Sequence, residues 1–270
     1  MNRLAFLCLF LIMGGTFKGE VYGAPKSSPP KTAAVERALD RASAGDLKPM
    51  QTLLDHGLSP RTHLNGSPLL HFTAAFRGEK FARLLLGRGA RLDDRDADQN
   101  DALCIAAMLG NAPVARLLLA QGADANSHNK DGDTPLHLAA LVGAITAPTG
   151  NGSDIARVLI ASHALVNSRN NRGETPLHLA MGAQNFALAK VLLQAGADPN
   201  TRDKSGATPS QIGETWETMV LVSITSDKRK PTTAESVALR EWQGIKPLLE
   251  SQNTAAIRGK TGSNASKNER

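Results

Sequence analysis

Cysteine is nearly missing from this chain: Cys8 and Cys104 are the two in 270 residues. A disulfide scaffold needs several pairs, so that class is excluded. Aromatic residues make up only 4%, and the apolar content is mainly Leu and Ala, the supply for thin helical layers. No apolar run approaches the ~20 residues that a membrane helix needs; the strongest, Leu4–Met13, is short. Charge of one sign is also scarce. The formal excess is +6, dispersed and partly held by Arg258, Lys260, Lys267 and Arg270. With no basic helix, no zinc-finger spacing and no aromatic-basic interleaving, nucleic acid is not the expected partner. The chain also lacks a nucleophile elbow, a His-Glu-x-x-His pair, a dinucleotide fingerprint and paired carboxylates in a concave setting. No catalytic residue, metal site or cofactor is expected.

What the chain does have is a beat. Thr-Pro-Leu-His-Leu-Ala occurs at Thr134–Ala139 and again at Thr175–Ala180. Thirty-three residues before His137 stands Cys104, within Asp101–Ala107, and thirty-three before that His71, within Pro68–Ala74. Thirty-three beyond Thr175-Pro176 lies Thr208-Pro209. Only the step between the two best copies differs, at 41, eight residues longer and best placed at Ala144–Asn151. The apolar half keeps time too, with Leu84–Leu86, Leu117–Leu119, Val158–Ile160 and Val191–Leu193. A fixed period of this length marks a repeat architecture. Thr134 suits an N-cap and Pro135 the first helical position. Gly122 and Gly196 stand where a helix ends. Each unit therefore reads as turn, helix, tight turn, helix. One unit alone cannot bury its apolar faces, so neighbours must stack.

On these residues the chain resembles the ankyrin-repeat family, from about Val35 to Gln211. The resemblance implies an all-α repeat solenoid of paired antiparallel helices joined by hairpin-like turns. The repeat domain, 33–225, divides into a shortened first unit at 33–65, repeats at 66–98, 99–131, 132–172 and 173–205, and a decaying exit unit at 206–225. In that last unit Gln211 replaces the histidine and no Leu-Leu-x-x-Gly closure follows, which leaves its second helix open. Residues 226–251 read as a linker and a capping helix, with Val237, Leu239, Trp242, Ile245 and Leu248-Leu249 as core and Pro247 as a kink. Residues 252–270 are Ser/Asn/Lys-rich and expected to be a disordered basic tail.

At the other end, Met1-Asn2-Arg3, the apolar Leu4–Met13 and the small residues before Ala24 form a secretory signal over 1–23, followed by a proline-bearing linker at 24–32. Cleavage would remove Arg3, Lys18 and Glu20, taking the excess from +6 to +5, and would leave Cys104 as the lone thiol. The mature chain is expected to be periplasmic, with secretion as the alternative, monomeric, and off the membrane.

Histidines 71, 137 and 178 could suggest metal, but they sit on layers ~8–10 Å apart, too far for one zinc ion. The family resemblance implies that they bond turn backbone and tie unit to unit. Cys104, at the same place, is expected to be buried and inert. The alternation Asp94, Asp96, Asp98 resembles a calcium loop, but Gln99 and Ile105 stand where glycine and glutamate are required. The Gly-rich stretch from Gly143 to Asp154 lacks the lysine of a phosphate loop.

By resemblance, ankyrin stacks bind proteins through hairpin tips and the exposed side of the first helices. At the tips that selects Asp98, Lys130, Asp131, Asp133, Asn171, Arg172 and Glu174. Along the first helices it selects Phe76, Met108, Leu109, Leu141 and Val142, an apolar strip if exposed. The expected function is a non-catalytic protein–protein interaction module with a protein partner. The alternatives are a secreted effector acting on a host protein, and an enzyme or small-ligand binder built on the C-terminal region and the 144–151 loop. The latter would need acids and bases brought together, and Asp154, Glu214, Glu217, Glu235 and Glu241 are scattered along the sequence.

Overall fold

The computed structural model has twelve helices among the described residues, those of the repeats built on the apolar triplets and the Thr/Asp caps. It describes residues 30–75, 78–141, 152–226 and 230–265, with side chains from 32 and up to 251. The signal segment, Phe76, Val142, the 144–151 insertion and residues 266–270 lie outside them.

In chain order the helices are α1 (Pro30–Ser43), α2 (Lys48–Asp55), α3 (Leu69–Ala75), α4 (Glu79–Gly87), α5 (Ala102–Met108), α6 (Ala112–Ala120), α7 (Pro135–Ala140), α8 (Ser153–Ala161), α9 (Pro176–Gly182), α10 (Phe186–Gln194), α11 (Pro209–Ser226) and α12 (Thr233–Ala265). A two-stranded antiparallel ribbon, β1 (His63–Leu64) and β2 (Ser67–Pro68), precedes α3. The fold is an all-α repeat stack. No described helix is long and apolar enough to cross a membrane.

The chain divides into two units, 1–130 and 131–270. In the first, α1 pairs with α2, α3 stacks on α5, and α4 stacks on α6. Met50, Leu69, Phe81, Leu85, Leu103, Ile105 and Leu118 are buried in its core. In the second, α7, α9 and α11 form one layer and α8, α10 and α12 the other. Leu136, Ile155, Leu159, Leu177, Phe186 and Leu192 fill the space between.

The short first helices are fixed at their N-termini. Thr134 and Thr175 each form a capping box with the histidine three residues on, and Asp101 accepts from the Cys104 amide at 2.8 Å. Second helices end on left-handed glycines, with Gly89, Gly122 and Gly196 at φ 91°, 93° and 89°. His163 takes that place in the third repeat at φ 65°, a conformation that costs a side-chain-bearing residue about 1–2 kcal/mol.

The exit unit closes differently from the repeats. α11 runs unbroken from Pro209 to Ser226, and α12 packs beside α10 in the layer of second helices. Trp242, Ile245 and Leu249 form its buried face, at the i, i+3, i+7 spacing of a helix stripe. Val237 stays 51% exposed. The α12 backbone continues helically through 252–265, a stretch expected from composition to be disordered; Ala255-Ala256 and the absence of proline favour helix there.

Candidate partner-binding surface

Three of the turns between repeats are organised by one short polar residue, at 96, 170 and 203. The Asp96 carboxylate accepts from the Asp98 and Asn100 amides, both at 2.9 Å. Asn170 accepts from Arg172 and Glu174 at 2.9 and 3.0 Å, and Asp203 from Ser205 and Ala207 at 2.8 and 2.9 Å. A side chain that satisfies the amides two and four residues on fixes a tight loop and projects the residues between.

Successive tips are then laced by backbone. The Lys130 amide donates to the Asp98 carbonyl, Asn171 to Asp131, and Lys204 to Arg172, at 3.0, 2.9 and 3.0 Å. Arginines clamp the same edge. Arg95 donates to the carbonyls of Gln99 and His128, both at 2.6 Å. Arg169 repeats this with Gly173 at 3.1 Å and Arg202 at 2.6 Å. A planar guanidinium with several donors can hold two carbonyls at once. His128 occupies the equivalent place in its own turn.

On this frame the tip residues present charge. Lys130 pairs with Asp98, their side chains 55% and 29% exposed. Arg172 bonds Glu174 at 2.7 Å, and that contact raises the arginine above its ordinary value. Burial pushes the Glu174 carboxyl up, but Asn170 and Arg172 outweigh it and hold the group below the usual range. Asp131 and Asn171 are exposed, while Asp133 is buried and accepts from Asn170 at 2.8 Å. Asp133 therefore stiffens the turn and is withheld from the surface. Met108 ends α5, while Leu109 and Leu141 cap α5 and α7; all three are half-buried.

Behind the tips stand the histidines. Nε2 of His71 donates to the Asn100 carbonyl at 3.1 Å, His137 to Glu174 at 3.0 Å and His178 to Ala207 at 3.3 Å. Nδ1 of His137 and of His178 accepts from the Thr134 and Thr175 amides. Each ring is thus held neutral with both nitrogens used in the capping-box pair, and burial lowers the pKa of all three below the ordinary imidazole value. Among the described residues no group of three His, Cys, Asp or Glu could hold a metal ion. Cys104 is buried with Sγ 3.9 Å from Ser127 Oγ, and burial followed by the Asp101 charge pushes its thiol upward. Gln211 reproduces the histidine's cap, accepting from the Thr208 amide at 3.1 Å.

The arginine clamp is not among the residues singled out from the sequence. Its trace was present: Arg95, Arg169 and Arg202 keep the same beat as the histidines. The profile for ankyrin repeats matches the chain in three overlapping copies, over residues 39–129, 70–147 and 111–203, together more than half of its length. A comparison with curated proteins gives no match.

Proposed function

The chain belongs to the ankyrin-repeat family, and from that premise we propose that it is an exported adaptor that captures a partner protein in the periplasm, without chemistry of its own. Ankyrin repeats point to a protein–protein interaction module, and proteins of this kind are generally non-catalytic. The observation that carries the reading is the set of braced turns: a backbone fixed by Asx bonds, tip lacing and arginine clamps presents Lys130, Asp131, Asn171 and Arg172 to solvent. Rigid presentation lowers the entropic cost of association. Asp98 and Glu174 complete the charged tips. Met108, Leu109 and Leu141, with Phe76 and Val142 of the same repeat positions, supply the apolar contacts that carry binding energy in such interfaces. Asp133 acts from beneath, by holding Asn170. The basic start, short apolar core and small residues of 1–23 support export; the mature chain works as a monomer, free of membrane and of nucleic acid.

The test is cross-linked capture from the exported fraction, comparing wild type with Met108→Glu/Leu141→Glu and with Lys130→Glu/Arg172→Glu, each first shown to melt like wild type. A protein held by wild type and lost from both variants is the expected result. Equal capture by all three would remove the assigned surface, and a mature N-terminus at Met1 in a cytoplasmic fraction would remove the export.

A further inference from the structure

We propose that Asn65 is a site of self-modification by water: its side-chain amide is exchanged for a carboxyl through a five-membered imide closed by the Gly66 nitrogen. Asn65 and Gly66 form the whole turn of the β1–β2 ribbon, whose pairs are His63 with Pro68 and Leu64 with Ser67. Both turn residues are exposed, and both have positive φ, 53° and 83°, which makes the turn type I′. Among the described residues, neither the Asn65 side chain nor the peptide group between 65 and 66 has a hydrogen-bond partner. Turning that peptide plane over therefore breaks no bond. It gives type II′, the other two-residue hairpin turn, with the φ of Asn65 still positive and the ribbon register unchanged. Gly66 alone changes the sign of its φ, which glycine does without steric cost. The space beside it is open, with nothing within 4 Å of where a Cβ would stand. In the flipped turn the Gly66 nitrogen swings alongside the Asn65 side chain, within reach of Cγ.

The nitrogen gives its proton to solvent and bonds Cγ, the Cγ–NH₂ bond breaks, and ammonia leaves. Water then adds to either imide carbonyl and opens the ring, leaving an aspartyl or an isoaspartyl residue at 65. Nothing is oxidised, and water is the co-reactant. Asn167 shows what withholds a surface asparagine from this chemistry. It is exposed as well, but its Nδ2 donates to the Gly196 carbonyl at 3.0 Å and its Oδ1 accepts from the Asp198 amide at 2.9 Å. The amide that would attack, that of Ser168, donates to the Leu165 carbonyl at 3.2 Å. At Asn65 every one of these restraints is missing. The isoaspartyl product carries one more carbon in the main chain, too many for a two-residue turn. Conversion therefore loosens the ribbon, whose Leu64 and Ser67 are buried and whose approach to α3 is tied by the Leu69 amide to the Thr62 carbonyl at 3.0 Å. The site lies apart from the partner surface and stands or falls independently of it.

The experiment holds the full chain at neutral pH, native and in urea, and follows its tryptic peptides over time by mass spectrometry. The peptide carrying residue 65 should gain the mass difference between NH₂ and OH, and an isoaspartyl methyltransferase should label it. The type II′ state strains a residue with a Cβ, so native conversion should run about ten- to a hundredfold more slowly than conversion in urea. In a Ser168→Gly chain that melts like wild type, Asn167 is followed by the same residue type as Asn65. It should convert in urea and stay an amide in the native chain. No native conversion at 65, a native rate equal to that in urea, or native conversion of Asn167 in the variant as fast as that of Asn65 would each overturn the proposal. The wild-type comparison decides the matter even where Ser168→Gly disturbs folding.

Discussion

Gly213→Ala adds one carbon and should cost the second unit much of its C-terminal closure. The new Cβ would fall on Cζ3 and Cη2 of Trp242 and lie 3.2 Å from Cε3. The indole has nowhere to retreat. Trp242 is fully buried, tilted against Phe186 with ring centroids 5.6 Å apart, and Phe186 is itself packed on Trp216 at 4.9 Å. The Lys246 ammonium lies 5.7 Å from the Trp242 ring and bonds Glu217 at 2.6 Å. Burial pushes Glu217 up, but the bond from Lys246 outweighs it and holds the carboxyl below its ordinary value. Overpacking of this kind costs about 1–3 kcal/mol, and better helix propensity returns about 1 kcal/mol. The net loss is then up to about 2 kcal/mol if the ring stays. If it leaves, burial of some 150–250 Å² is forfeited, or about 4–6 kcal/mol. The chain has two tryptophans, both in this cluster, so urea unfolding followed by tryptophan emission reads it directly. Gly244→Ala is the control, in the partner helix with open space, and should stabilise by about 1 kcal/mol. Should Gly213→Ala raise the urea midpoint as Gly244→Ala does, with unchanged emission, the packing account is wrong.

The histidines predict an acid window. Folding lowers the pKa of His71, His137 and His178, so the unfolded chain binds more protons as pH falls below ~6.5, and stability falls with it by at most about 1.4 kcal/mol per pH unit per histidine. His178→Gln, which copies the cap made by Gln211, should flatten the slope of urea stability between pH 6.5 and 5 by up to one proton; an unchanged slope would exclude His178 as a contributor. Gly152→Ala meets both a left-handed backbone, φ 67°, and contact with the Ala139 carbonyl oxygen and with Leu188 Cδ1, the latter at 2.9 Å. The combined cost is about 2–5 kcal/mol, visible as a lowered melting temperature, whereas Gly182→Ala, with nothing within 4 Å, should not destabilise. In a Cys8→Ser chain, Cys104 should resist a thiol reagent while folded and react fully in urea; fast native reaction would contradict its burial and raised pKa.

By itself the sequence determined the unit and its chemistry. The Thr-Pro-Leu-His copies, the cap at Asp101 and the closing glycines are local signals repeated at one spacing, and each acts within a few residues of its own position. Repetition makes such signals readable, because a residue type returning at 71, 104, 137, 178 and 211 betrays a common environment whether it is His, Cys or Gln. The tip residues followed from the same count. What only the tertiary structure decided lies where the beat stops or where two distant residues must fit. The burial of Asp133 depends on Asn170, thirty-seven residues on. The place of α12 among the second helices depends on a glycine at 213 being shaped to receive an indole at 242. Periodicity records which face a residue turns inward; it carries no record of which single, unrepeated surface will meet that face, since that is fixed by complementary shape and charge in three dimensions.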